Sequence, residues 1–236
     1  MINNTNYVVF LKFGKKENLE KLQNGLLYMK ESKYFKDLEA KTGIKGMGDK
    51  YDSCLIQRDL PIWINGKKLP NPDWITSSYT YDEKTPIFCC TCVKEDDFTY
   101  NENKKCFVLK DNLFNLSTIK KDFGEYVMFI PYPEVFIQRI NSYCQSQNID
   151  FRFKEVIYVD YDKKDNHWVE YYENDLSHFF IKDISFSSQK EFRFLLANVF
   201  TDSNKDFTTL SIPDGFSDFT TIEPVDKLYT IEYFKE

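Results

Sequence analysis

The chain has 236 residues, 17% of them aromatic, and its 31 Lys and Arg against 37 Asp and Glu give a net charge of −6. A chain this long hides roughly 70% of its unfolded surface without help from disulfides or metals, and so many aromatics exclude a disordered polymer. The modest acidity argues against a protein built to grip phosphate backbones, which calls for basic surfaces, and falls well short of a nucleic-acid mimic.

The opening Met1–Tyr7 is polar and lacks the basic and apolar regions of a signal peptide. No apolar run approaches the ~20 residues of a membrane span. The expectation is a cytoplasmic protein, away from membranes, whose six cysteines are reduced.

Tyr7–Phe13 is a continuous apolar run and reads as a strand buried on both faces. Lys15–Asn24 follows as a short helix, with Leu19 and Leu22 on one side and Gly25 free to take a left-handed turn. Leu26–Met29 is a short strand. Ser32 stands where it can cap a helix over Lys33–Lys41. The stretch from Gly43 through Gly46 to Gly48 reads as a loop, continuing into Asp49, Lys50 and Tyr51. It carries no phosphate-loop pattern and is either a solvated loop or a lid that binds something.

A strand is expected over Tyr51–Arg58. Asn65-Gly66 between Ile62–Ile64 and Lys67–Leu69 fits a type I′ hairpin. Ile87–Val93 is an apolar strand, and Lys94–Lys105 a charged, exposed loop. Tyr126–Ile130 is a buried strand, and Pro133 opens the clearest helix, with Phe136, Ile140, Tyr143 and Cys144 on one face. Phe151–Tyr161 alternates as one long strand. Further strands are expected at Phe192–Leu196, Thr208–Ile212 and Leu228–Phe234. Strands cluster with three or four helices and no regular alternation. The chain therefore reads as one α+β domain over residues 1–236, with a mixed, mostly antiparallel sheet.

Few residues carry a chemical signal. Cys89, Cys90 and Cys92 lie in a predicted strand without a second cluster, so they read as small core side chains rather than zinc ligands. His167 and His178 stand in no metal or catalytic motif. Trp63, Trp74 and Trp168 are either interface anchors or core. In an extended segment, Gln189, Glu191 and Arg193 would share one face, with Phe192 and Phe194 turned to the core. That polar face is either a catalytic wall or a solvated surface with a Glu–Arg pair. No metal or cofactor site is expected, although Asp49, Asp52 and Glu191 are the carboxylates a metal-dependent hydrolase would need.

The order Asn24–Tyr28, Ser32–Glu39, Gly48–Tyr51, Ile87–Thr91 and Phe186–Arg193 resembles a poorly characterised family of bacterial and phage proteins found near abortive-infection and anti-phage loci. The resemblance implies a role in bacterium–phage conflict, in defence or counter-defence, by binding a protein partner or a small nucleotide signal. Direct nucleic-acid binding is not expected. The candidate binding residues are Gly46, Gly48, Asp49, Lys50 and Tyr51. Gln189-Lys-Glu191 also resembles the Gln-x-Glu motif of ADP-ribosyltransferases. That likeness implies NAD as substrate, with Glu191 as the catalytic carboxylate beside Gln189 and Arg193. The upstream Ser-Thr-Ser strand of that family is missing here.

Overall fold

The computed structural model describes residues 7–42, 48–58, 61–70, 73–78, 82–163, 176–202 and 204–233. The first half of the chain runs β1 (Tyr7–Gly14), α1 (Lys16–Gln23), β2 (Leu26–Glu31), α2 (Ser32–Thr42), β3 (Leu55–Arg58), β4 (Trp63–Ile64), β5 (Lys67–Lys68) and β6 (Trp74–Ser77). Then come β7 (Pro86–Lys94), β8 (Phe98–Asn101), β9 (Cys106–Leu109), α3 (Leu116–Asp122), β10 (Tyr126–Ile130) and α4 (Pro133–Ser146). The last strands are β11 (Phe151–Glu155), β12 (Ile157–Val159), β13 (Ile181–Asp183), β14 (Glu191–Leu196), β15 (Phe207–Ser211) and β16 (Thr221–Pro224).

Eight strands form one sheet along the path β11-β14-β7-β1-β10-β16, with β2 joined to β7 and β15 joined to β2. Every pairing in it is antiparallel. The small β12–β13 pair is parallel, so the mixed, mostly antiparallel α+β architecture expected from the sequence is what the chain adopts. No helix among the described residues is long and apolar enough to cross a membrane.

Strand alternation divides the core. Phe10, Phe88, Cys90, Cys92, Phe192 and Phe194 face α1 and α4, which contribute Leu19, Leu22, Phe136, Ile140 and Cys144. Each fully buried Phe here is worth roughly 2–3 kcal/mol of apolar transfer. The opposite face has two separate covers. Val9, Leu11, Val127 and Phe129 pack under Phe114, Ile119, Val225 and Leu228. Ile87 and Leu195 pack under Phe179 and Phe180. The space between these covers is where a ligand could reach the sheet.

Strand β7 organises that space. Its Ile87–Thr91 segment pairs with Leu195–Glu191 of β14. Its other edge is shared, by β2 at Pro86 and Ile87 and by β1 from Thr91 to Lys94. Where β1 and β2 part, the Lys12 ammonium donates to the Cys89 carbonyl at 2.6 Å and sits 4.5 Å over the Phe88 ring.

Local expectations hold at several points and fail at others for physical reasons. Gly25 takes φ +93 after α1, and the Asn65-Gly66 turn has φ of 48 and 75, the two left-handed residues of a type I′ hairpin. Ser32 does not cap α2; its Oγ donates to the Asp82 carbonyl at 2.6 Å. The charged stretch after β7 is no plain loop, because Phe98–Asn101 pairs with Cys106–Leu109 as a hairpin. The strand expected from Tyr51 begins only at Leu55, and Phe151–Tyr161 breaks at Val156, whose N–H donates to the Glu191 carbonyl. Of the strand expected over Leu228–Phe234, the first part is a 3₁₀ segment, Val225–Thr230, Tyr233 makes a single bridge to Phe107, and Phe234 lies outside the described residues; the final sheet edge is the earlier Thr221–Pro224.

Candidate functional site: a cleft backed by a buried charge network

A cleft of about 400 Å³ opens on the sheet face between the two covers, a size that holds a small molecule. Leu11, Cys89, Thr91, Glu191 and Arg193 form its floor. Their register explains the grouping, because Thr91 lies opposite both Leu11 and Glu191, and Cys89 opposite Arg193, so all five project from the same side. Phe114, Asn115, Thr118, Asp122 and Phe123 line one wall, and Lys182, Phe186, Ser188 and Gln189 the other. Asn115 fixes the first wall by capping α3, its Oδ1 accepting from Thr118 N at 3.1 Å. Phe123 at the end of α3 is 46% exposed, an aromatic ring open to a ligand.

Behind the floor lies a charge network. Arg193, 2% exposed, donates from Nη1 to Asp52 Oδ1 at 2.8 Å and from Nη2 to Asp52 Oδ2 at 2.6 Å. It also donates from Nε to Glu191 Oε1 at 2.6 Å and from Nη1 to the Phe179 carbonyl at 2.7 Å. Lys182 donates to Glu191 Oε2 at 3.0 Å and to Gln189 Oε1 at 2.9 Å, and stands 3.9 Å from Asp52 Oδ2. Tyr158 Oη accepts from the Glu191 N–H at 2.8 Å.

The backbone explains how the segment 182–193 folds onto itself. Asp183 caps a 3₁₀ turn over Ile184–Gln189 by accepting from Ser185 N at 2.9 Å. Lys190 then adopts a left-handed conformation, φ 47 and ψ 47, and its ammonium reaches Asp97 at 2.9 Å. Gln189 is therefore not part of the strand, and Glu191 and Arg193 point inward rather than to solvent. The shared polar face expected of Gln189, Glu191 and Arg193 is corrected to a buried cluster joined through Lys182.

Of the other candidate residues, Gly46 lies outside the described residues, as do His167 and Trp168. Gly48 is a packing residue: a Cβ on it would lie 2.5 Å from Phe35 O and from Glu39 N of α2. That contact lets Asp49 N donate to the Phe35 carbonyl at 3.2 Å and Lys50 N to Glu39 Oε2 at 2.8 Å. Tyr51 N donates to Asp49 Oδ1 at 2.9 Å, and the Tyr51 ring packs on Trp74 at 4.7 Å. The turn sends Asp49 and Asp52 inward, and both are buried. Trp63 stands at the exposed hairpin, 62% accessible.

Burial alone would raise the Asp52 and Glu191 carboxyls, but Arg193 and then Lys182 outweigh it and hold both below the usual carboxylate range. Asp49 goes the other way. Burial first, then the Asp52 charge, push it up to about 6, and its Oδ2 has no hydrogen-bond partner. The Cys89 thiol is raised well above its ordinary value, by burial and by Glu191.

Chemically, Glu191 is an anion whose two oxygens are both engaged. Asp52 and Glu191 share the same two cations, Arg193 and Lys182, and Asp49 neighbours Asp52. No group of three His, Cys, Asp or Glu among the described residues could hold a metal ion. Lys182 and the buried His178–Asp82 pair, 2.8 Å apart, escaped sequence reasoning. Asp82 lies 96 positions from His178, and no local motif announces Lys182. Comparison with known proteins finds no matching family model, no curated relative and no matching solved structure.

Proposed function

We propose that the protein is a non-catalytic binding protein whose cleft takes a mononucleotide, the nucleotide-signal form of a role in bacterium–phage conflict. One observation carries this reading: an aromatic cleft has a cation, Lys182, on one wall and a carboxylate, Asp122, on the other. Arg193 is tied up by four hydrogen bonds, so Lys182, which holds Glu191 and Gln189, is the cation nearest an incoming phosphate. Asp122 has no cation paired to it among the described residues and suits an amino-bearing base. Phe123, 46% exposed, offers a face for stacking.

The transferase alternative asks Glu191 to polarise a ribose hydroxyl. Both its oxygens are engaged by Arg193 and Lys182, which favours binding over catalysis.

The test is a thermal-shift and calorimetric panel of linear and cyclic mononucleotides and NAD. A nucleotide at 100 times its Kd stabilises the fold by about 2.7 kcal/mol, a rise of roughly 5–10 °C for a chain of this size. Phe123→Ala should remove most of that rise, since stacking one base is worth about 1–3 kcal/mol, without lowering the unliganded Tm by more than about 2 °C. The reading fails if no nucleotide shifts the wild type, or if NAD alone does and is consumed.

A further inference from the structure

The buried network balances its charges in only one protonation state. Asp52 and Glu191 supply two negative charges, and Arg193 and Lys182 two positive ones. Asp49, 2% exposed, is the odd member. One of its oxygens accepts from Tyr51 N and the other has no partner. If Asp49 ionises, the cluster of Asp52, Glu191, Arg193 and Lys182 gains an unmatched negative charge, which is costly.

The cation placed to respond is Lys182. It stands 3.9 Å from Asp52 on one side and 3.0 Å from Glu191 on the other, and Asp49 feels its charge. Arg193 is fixed by four hydrogen bonds and has no such freedom. We propose that Asp49 is a protonation switch for the cleft: its ionisation draws Lys182 away from Glu191 and Gln189 toward the Asp49–Asp52 pair, and the cleft wall loses a cation.

The groups facing Asp49 leave Lys182 the main responder. From its own loop come Asp52, Tyr51, Lys50 and Cys54; Lys50 is exposed, and Cys54 is a thiol raised by burial. From α2 come Glu39, which holds Lys50 N, and Lys36, whose ammonium is turned to the Cys54 thiol and has no oxygen partner. From β13 and β14 come Lys182 and Arg193. Lys36 is the one rival cation. With Asp49 rising to about 6, the switch operates between about pH 5 and 7.

The affinity consequence rests on the mononucleotide reading; the switch itself does not. An anionic ligand should bind better at low pH, when Lys182 stays on the cleft wall. A cyclic mononucleotide is the suitable probe, because its phosphodiester keeps one charge throughout.

The experiment is an NMR titration of the ¹³C,¹⁵N-labelled full chain from pH 5 to 8, with cyclic GMP affinity measured in parallel. It follows the Asp49 carboxyl carbon and the Lys182 and Lys36 side chains. Lys182 should move with the midpoint of Asp49, and cyclic GMP should weaken about five- to tenfold across it. Asp49→Asn should leave Lys182 still and the affinity flat. In Lys182→Gln the Asp49 midpoint should rise, since Lys182 lowers it. The switch is refuted if Lys182 is still while Asp49 titrates, if Lys36 moves in its place, or if Lys182→Gln leaves the midpoint unchanged. Cyclic GMP failing to bind while Lys182 moves as expected refutes the ligand reading and upholds the switch.

Discussion

Arg193 and Asp52 stand 141 positions apart and meet through two hydrogen bonds of 2.8 and 2.6 Å, with both side chains almost wholly buried. The pair ties the second half of the sheet to the loop after α2. Its energetic meaning lies less in its attraction than in the cost of breaking it, because a buried charge stripped of its partner is far costlier than no charge at all.

Asp52→Asn should therefore cost about 3–5 kcal/mol, read as a lower midpoint in urea with an unchanged slope. Replacing both partners, Asp52→Leu with Arg193→Met, should cost less than the two single changes together by about 2 kcal/mol or more. Additive single effects would mean that the two side chains do not act as a unit.

The second prediction concerns pH. The folded Asp49 titrates near 6, above its ordinary 3.8, so the folded state holds this proton more tightly than the unfolded chain. The stabilisation is complete below about pH 4 and is lost as pH rises through 6, worth roughly 3 kcal/mol in all. Asp52 and Glu191 are depressed, so their contribution is present above about pH 4 and is lost only in stronger acid. Unfolding free energy should peak near pH 4–5 and fall toward pH 7. Asp49→Asn should flatten that fall and exceed the wild type in stability at pH 7. A wild type that grows more stable from pH 5 to 7 would contradict the assignment.

Much of this fold was legible because it is written locally. The apolar run at Tyr7–Phe13, the Asn65-Gly66 turn and the Pro133 helix each carry their structure in adjacent residues. The site was legible only in part. Glu191 and Arg193 drew notice through their spacing, and Asp49 and Asp52 through their loop, but nothing local said that these pieces converge. Lys190 shows why the readings of exposure failed. Its left-handed backbone ends the 3₁₀ turn and separates Gln189 from the strand, and a lysine is not the residue that advertises φ above zero. Once Lys182 is supplied from another strand, carboxylates that look solvent-facing in sequence become interior groups.

A third prediction tests the loop that delivers the two aspartates. Gly48 rests on α2 so closely that a methyl group would fall 2.5 Å from two backbone atoms, which flexible side chains cannot relieve. Gly48→Ala should cost about 1–3 kcal/mol and undock the loop. Faster amide exchange at Asp49 and Lys50, whose N–H groups bond to Phe35 and Glu39, would report it. Gly66→Ala is the comparison: nothing lies within 4 Å of the added atom there, and α2 should be undisturbed, although the positive φ of the turn carries its own strain.

The last prediction uses Cys89 as a probe of the cleft. A thiol on a cleft floor invites the reading of a nucleophile, but thiolate character is what makes a cysteine reactive. Burial and the Glu191 anion keep this one protonated. Burial also lifts Cys90 to about 12 and Cys144 to about 11. Iodoacetamide at pH 8 should therefore leave the native chain almost unmodified over an hour. The same treatment in denaturant should add six groups, one for each cysteine. Glu191→Gln should speed native labelling of Cys89, since it removes the nearest negative charge and leaves Arg193 beside the sulfur. If wild-type Cys89 is alkylated at the rate of a free thiol, the charges on the cleft floor are not balanced as described, and a covalent role for that sulfur would displace the binding reading.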